Sequence, residues 1–262
     1  MAPNILLIAA LAVAQSAVAT VKPTTGKWVL NYAPTHCTLL REPVGNQPGF
    51  AIQTRPFADE HDLILLLPRT GAKAVYVQGK LMANGKETIG RWMTIGEPKQ
   101  APHRVVDTHI KNDELENVSA GGSLRLLSEG QIDVTVGLPG MAKALAALKP
   151  CEDDLARRWG VERTWVTPPK PLWGDRSLVT SEDYPQDALD RNQAGSVRVL
   201  LSLSEGGKVT DCRVIESSNS GPLDQATCRT LQKRATFAPA LDGGGKPVSS
   251  KYLAPRVRYI LE

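Results

Sequence analysis

From Gly195 to Leu261 the sequence sets out an ordered run of segments that limits the fold more than any other part of the chain. Val197, Val199, Leu201 and Leu203 recur at period two, which places them on one face of a strand. Ser204-Glu205-Gly206-Gly207-Lys208 then offers two glycines for the positive φ values of a tight hairpin, and Val209 to Ser217 reads as the returning strand. Ser220-Gly221-Pro222 is a helix start, with a small capping residue before a proline whose fixed φ suits the first turn. Leu223, Thr227, Leu231 and Ala235 follow at four-residue spacing, with Gln225, Arg229, Gln232 and Lys233 on the opposite side, so the helix is amphipathic. Phe237-Ala238-Pro239-Ala240 ends it, a glycine-rich loop follows, and Val248 to Leu261 is a last extended segment in which Val257, Tyr259 and Leu261 alternate with Arg256 and Arg258. The expected order is strand, strand, helix, strand.

Several short motifs accompany this order: Asp183-Tyr184-Pro185 opening a short helix, Gly195 leading into the first strand, and Glu205-Gly206-Gly207-Lys208-Val209 at the hairpin. Ser217-Ser218 stands before Leu223-Asp224, and Arg234-Ala235-Thr236-Phe237-Ala238-Pro239-Ala240 precedes a Gly-Lys-Pro turn. Together, over roughly 173–262, they resemble the TonB C-terminal domain family. The resemblance implies a small α+β module in the bacterial periplasm, contacting an envelope protein by pairing with an extended segment of an outer-membrane transporter, as part of energy transduction. Pro247 and Pro255 cannot donate ladder hydrogen bonds, so the final strand is expected at the edge of its sheet. Tyr184, Pro185, Pro255, Arg256, Val257, Arg258 and Tyr259 are therefore the candidate partner-binding residues. The charges on that strand also suit an edge guarded against aggregation.

The preceding region is expected to be mainly β. Lys27 to Tyr32, Phe50 to Thr54, Asp62 to Leu67, Ile89 to Ile95, Arg104 to Ile110, Ser123 to Leu127 and Gln131 to Leu138 are strand candidates between Gly, Pro and Asn signals. A helix, interrupted near Lys149-Pro150, closes the region between Gly140 and Trp159. Trp28, Thr35-His36-Cys37-Thr38-Leu39 and the run Val134 to Leu145 resemble invasion-associated locus B proteins, which implies an exported, β-rich region without a known catalytic site. The division expected is 20–165 as a mainly-β domain, 166–172 as a linker, and 173–262 as the C-terminal domain. Thr167-Pro168-Pro169-Lys170-Pro171 favours a short polyproline II joint. The overall class is α+β.

Ile5 to Ala19 is an apolar run ending in Ala17-Val18-Ala19, the small-residue pattern that a signal peptidase cuts, so 1–19 reads as a signal peptide cleaved after Ala19. An inner-membrane anchor is the alternative, although the run is shorter than the roughly 20 residues a spanning helix needs. In an exported chain the four cysteines read first as disulfides. Cys212 on the returning strand and Cys228 on the helix are expected to pair, leaving Cys37 for Cys151, while two other pairings would tie the regions together.

The charge is spread evenly, with 13 Lys or Arg against 11 Asp or Glu from Pro168 onward, leaving 18 against 16 before it, so no basic region points to nucleic acid. His36, His61, His103 and His109 lack the spacing of a zinc site, and no cofactor or metal is expected. Ser123 lacks the following glycine of a nucleophile elbow, and Gly243-Gly244-Gly245-Lys246-Pro247 lacks the hydroxyl residue of a phosphate loop. The chain reads as an interaction protein, with a membrane-anchored transducer subunit or an exported enzyme as alternatives.

Overall fold

The structure is a computed structural model that describes residues 26–45, 47–99, 101–174 and 176–261. The expected signal peptide, and its anchor alternative, lie outside these residues. Among the described residues no helix is long and apolar enough to cross a membrane.

Nine antiparallel strands form the N-terminal sheet: β1 (Val29–Tyr32), β2 (Cys37–Arg41), β3 (Gly49–Thr54), β4 (Glu60–Leu67), β5 (Val75–Ala83), β6 (Lys86–Gly96), β7 (Arg104–Lys111), β8 (Ser123–Ser128) and β9 (Ile132–Gly137). Their spatial order is β1-β2-β3-β4-β7-β6-β5-β8-β9. The sheet curls until its ends meet: Arg41 of β2 donates to the Gly137 carbonyl at 3.2 Å, and the Trp28 indole N–H donates to the Pro139 carbonyl at 3.0 Å. Leu63, Leu65 and Leu67 alternate into the enclosed core with Phe50, Ile52, Met93, Ile95 and Val106. The helix α1 (Asn112–Gly121) carries the chain from β7 to β8 and buries only Glu114, Leu115 and Val118. Its Glu114 carboxylate accepts the Lys111 amide at 2.8 Å and ion-pairs with Arg91. The closing helix is two segments, α2 (Met141–Ala146) and α3 (Lys149–Arg158), the second with proline in its first turn. The Cys37–Cys151 disulfide ties β2 to α3, with Cα atoms 6.1 Å apart.

The remaining elements are β10 (Lys170–Pro171), α4 (Gln186–Asp190), β11 (Gly195–Leu203), β12 (Val209–Glu216), α5 (Gly221–Arg234), β13 (Phe237–Ala238), β14 (Ala240–Leu241), β15 (Pro247–Val248), β16 (Ser250–Leu253) and β17 (Val257–Tyr259). β11 is central, with β12 on one side and β16 and β17 in succession on the other, all antiparallel. Only Gly207 of the hairpin glycines takes a positive φ, at 72°, and a Cβ there would collide with the Phe237 carbonyl. The last extended segment is broken. Leu200 faces Leu253 and Val197 faces Val257, so three steps on β11 oppose four on its partner, and Pro255 sits in the resulting bulge.

Val197, Val199, Leu201 and Leu203 share a core with Leu223 and Leu231 of α5, and the Cys212–Cys228 disulfide fastens that helix to β12. Ser220 does not cap α5 through its side chain; its hydroxyl donates instead to the Gln193 side chain at 2.7 Å, leaving the Asp224 carboxylate to accept the Ser218 amide at 2.9 Å. The proline-rich segment is extended and bonded rather than a free spacer. Lys170 and Pro171 pair with Ala238 and Phe237, and Thr167 exchanges 3.0 Å backbone bonds with Leu241.

Candidate functional site

The second face of β11 meets the outer face of the N-terminal sheet. Residues on β11 alternate sides, so Arg198 and Leu200 point away from α5. Leu200, with Ala240 and Leu253, belongs to the core cluster of the N-terminal region. Arg198, only 1% exposed, reaches Asp62 of β4 with bonds of 3.0 and 3.2 Å. Asp62 also ion-pairs with Arg55 at 2.9 Å and with Arg256, so guanidinium groups from three segments converge on one carboxylate. Beside it, Glu216 of β12 accepts from Arg55 Nε at 2.7 Å and from Arg198 Nε at 3.4 Å. Asp107 of β7 accepts from Arg256 at 3.4 Å and Arg258 at 3.2 Å, and Arg258 also donates to Thr94 of β6 at 3.1 Å.

Burial alone would push the Asp62 carboxyl up, but Arg198, Arg55 and Arg256 together hold it below its ordinary value. Asp107 goes the other way: burial raises it, and Arg256 and Arg258 offset only part of the rise. The His61 imidazole is held down chiefly by burial. Burial likewise leads in pushing the Tyr252 hydroxyl far up.

Along the free side of β17 runs a groove of about 530 Å³. Ala254 to Ile260 form one side of it without interruption, and Trp173, Leu178, Val179 and Tyr184 form another. Tyr76 and Trp92, on the outer face of β5 and β6, also line it; their rings stack 4.7 Å apart at 12°. They are 46% and 44% exposed. Among the described residues β17 pairs with β11 alone, so its other edge carries backbone groups with no strand partner.

The sequence-predicted residues take different places here. Pro255, Val257 and Tyr184 line the groove, as do Arg256, Arg258 and Tyr259. Arg256 and Arg258 are not solvated edge guards: they are partly buried and held by Asp62 and Asp107. Tyr259 and Tyr184 are built into the scaffold, Tyr259 bonding Thr227 at 3.0 Å, Tyr184 donating to the Gln193 carbonyl at 2.5 Å, and the two rings meeting edge to face. Pro185 precedes α4 and does not line the groove. The tryptophans beside the linker divide: Trp159 and Trp165 join the N-terminal core, while Trp173 packs edge to face on Phe237 and Tyr252. Sequence reasoning missed Asp62, Asp107, Arg55, Arg198, Tyr76 and Trp92. The only signal was Arg198 beside Leu200 on a strand whose other face is apolar throughout. Among the described residues no group of three His, Cys, Asp or Glu side chains is arranged to hold a metal ion.

A four-stranded antiparallel sheet, one helix across its face and an open last strand define a strand-edge α+β module. Residues 180–261 match the family model described as the Gram-negative bacterial TonB protein C-terminal. No curated protein matches the chain.

Proposed function

We propose that this is an exported envelope protein that binds a partner by strand addition at β17. The observation that supports it most is the unbroken lining of a groove by Ala254 to Ile260, along a strand that, among the described residues, pairs with β11 alone. An extended segment of another envelope protein, of the kind presented by outer-membrane transporters, would find unpaired N–H and C=O groups there. In this reading 1–19 directs export and is removed, 20–165 is a β domain that buttresses the module, and 166–172 is bonded into 173–262 as a seam.

A photo-crosslinking residue in place of Ile260, which is 57% exposed, tests this in cells. The expected product is a crosslink to an extended segment of one envelope protein, with slowed hydrogen exchange at Val257–Tyr259 in the purified complex. Crosslinking only from a residue on the far side of α5, such as Gln232, would move the binding surface off β17.

A further inference from the structure

The contacts between the two stacked sheets run from β3 to β6 of the lower one and leave the outer face of β5 uncovered by any of them. Glu216 of β12 lies against Arg55 at the end of β3, Arg198 of β11 lies against Asp62 of β4, and Arg258 of β17 lies against Asp107 of β7 and Thr94 of β6. Moving from β12 to β17 thus moves from β3 to β6 beneath. Tyr76 of β5 and Trp92 of β6 line the same groove as Ala254 to Ile260, so a strand added beside β17 in that groove meets β6 and β5. The outward residues at that place are Trp92 and Tyr76, whose exposed, stacked rings continue the face that Arg258 already covers. Gln78 sits directly opposite Trp92 in the β5–β6 ladder, so the ring pair is a diagonal neighbour pair on one face of the sheet.

From this we infer that Tyr76 and Trp92 are the floor of the partner site and determine which segment binds. The inference rests on strand addition at β17 and adds a chemical class: the occupant is an extended peptide whose inward side chains, at every second position, are aromatic or bulky aliphatic. Alternation follows from the strand itself, because side chains two apart share a face. Main-chain bonds to β17 fix the backbone, and burial of the Tyr76–Trp92 pair selects the sequence. The N-terminal sheet is then part of the recognition surface, not only a support for it.

Short linear peptides displayed on phage and selected on the intact, disulfide-bonded protein test this. The expected outcome is enrichment of peptides with alternating bulky apolar residues, whose binding protects the amides of Val257–Tyr259 from exchange. Trp92→Ser and Tyr76→Ser should each weaken these peptides about tenfold or more, the scale of a buried aromatic anchor. Trp92→Phe should retain most of the affinity. Both side chains are half exposed, and the Trp92 carbonyl that accepts the Thr108 hydroxyl is main chain, so the serine variants keep the fold. Peptides that protect Val257–Tyr259 but bind Trp92→Ser as tightly as the wild type would overturn the floor and leave strand addition standing. Peptides that depend on Trp92 without protecting β17, or no enrichment at all, would overturn both. A concentration-dependent dimer abolished by Trp92→Ser would make a second copy the occupant and overturn the peptide assignment.

Discussion

The two faces of β11 are covered in opposite ways. Towards α5, Val197, Val199, Leu201 and Leu203 meet other apolar side chains. Towards the N-terminal sheet, Arg198 meets Asp62 and Glu216, with Leu200 beside it. Apolar burial is non-directional and tolerates small shifts. The charged face does not tolerate them, because Asp62 accepts from the end of β3, from β11 and from the bulge before β17, and all three donors are satisfied in one placement of the sheets. Hydrophobic packing holds the helix on; the ion cluster fixes where the second sheet lies. Removing one partner of such a buried cluster leaves an uncompensated charge, which is costly.

Asp62→Ala breaks that comparison most severely. It strips the shared acceptor from Arg55 and Arg198, which are 2% and 1% exposed, and should cost about 3–5 kcal/mol in denaturant unfolding, the range for one partner removed from a buried pair. A loss below about 1 kcal/mol would mean that water reaches the cluster and the sheets are not locked by it. Leu223→Ala, at a fully buried site on α5, should follow at about 3 kcal/mol from lost burial and a residual cavity. Its effect should be confined to the exchange of amides in α5 and β11. If instead the whole chain loosens equally, the two faces do not act separately.

A third comparison uses pH. Asp62 is held below its ordinary value by its arginines, so folding favours the ionised form. Its contribution is present above about pH 4, where the unfolded carboxyl is ionised, and is lost as pH falls through the depressed folded value. Asp62→Asn should therefore flatten the acid limb of a urea-midpoint profile, while Leu223→Ala shifts the profile down without changing its shape. Equal slopes in wild type and Asp62→Asn would remove Asp62 as the source. The smallest effect belongs to Arg125→Ala. Its bidentate bonds to Asp133, both 2.7 Å, lie in solvent on β8 and β9, and the unfolding midpoint should not move measurably.

The C-terminal half was legible because its signals are local. The period-two run on β11, the four-residue stripe on α5 and the Cys212–Cys228 spacing each lie within one element or between neighbours. In the N-terminal half, strands announced by continuous apolar runs such as Leu63 to Leu67 were legible, while β2, β5 and α1 were not read. β5 alternates Tyr76, Gln78 and Lys80 outward and passes Gly79, so its apolar face is sparse. α1 buries two apolar side chains in ten residues, and its capping carboxylate, Glu114, is committed to Arg91, 23 residues away. The candidate site was half legible. Proline placed the last strand at an edge, but nothing local tells that Arg198 and Asp62, 136 residues apart, are partners. A charged residue alternating with leucines reads as a solvent face until a second sheet is laid on it.

The seam at 166–172 has a consequence for portability. Family matching begins at 180, yet the Leu172 amide donates to the Thr236 carbonyl at 3.0 Å, β10 pairs with β13, and Trp173, Leu178 and Val179 pack on the C-terminal core. A fragment excised at 180 would leave the Phe237–Leu241 backbone without its partner strand and uncover Phe237 and Tyr252. The piece that can be transplanted into another protein is therefore longer, at its leading end, than the piece that homology recognises.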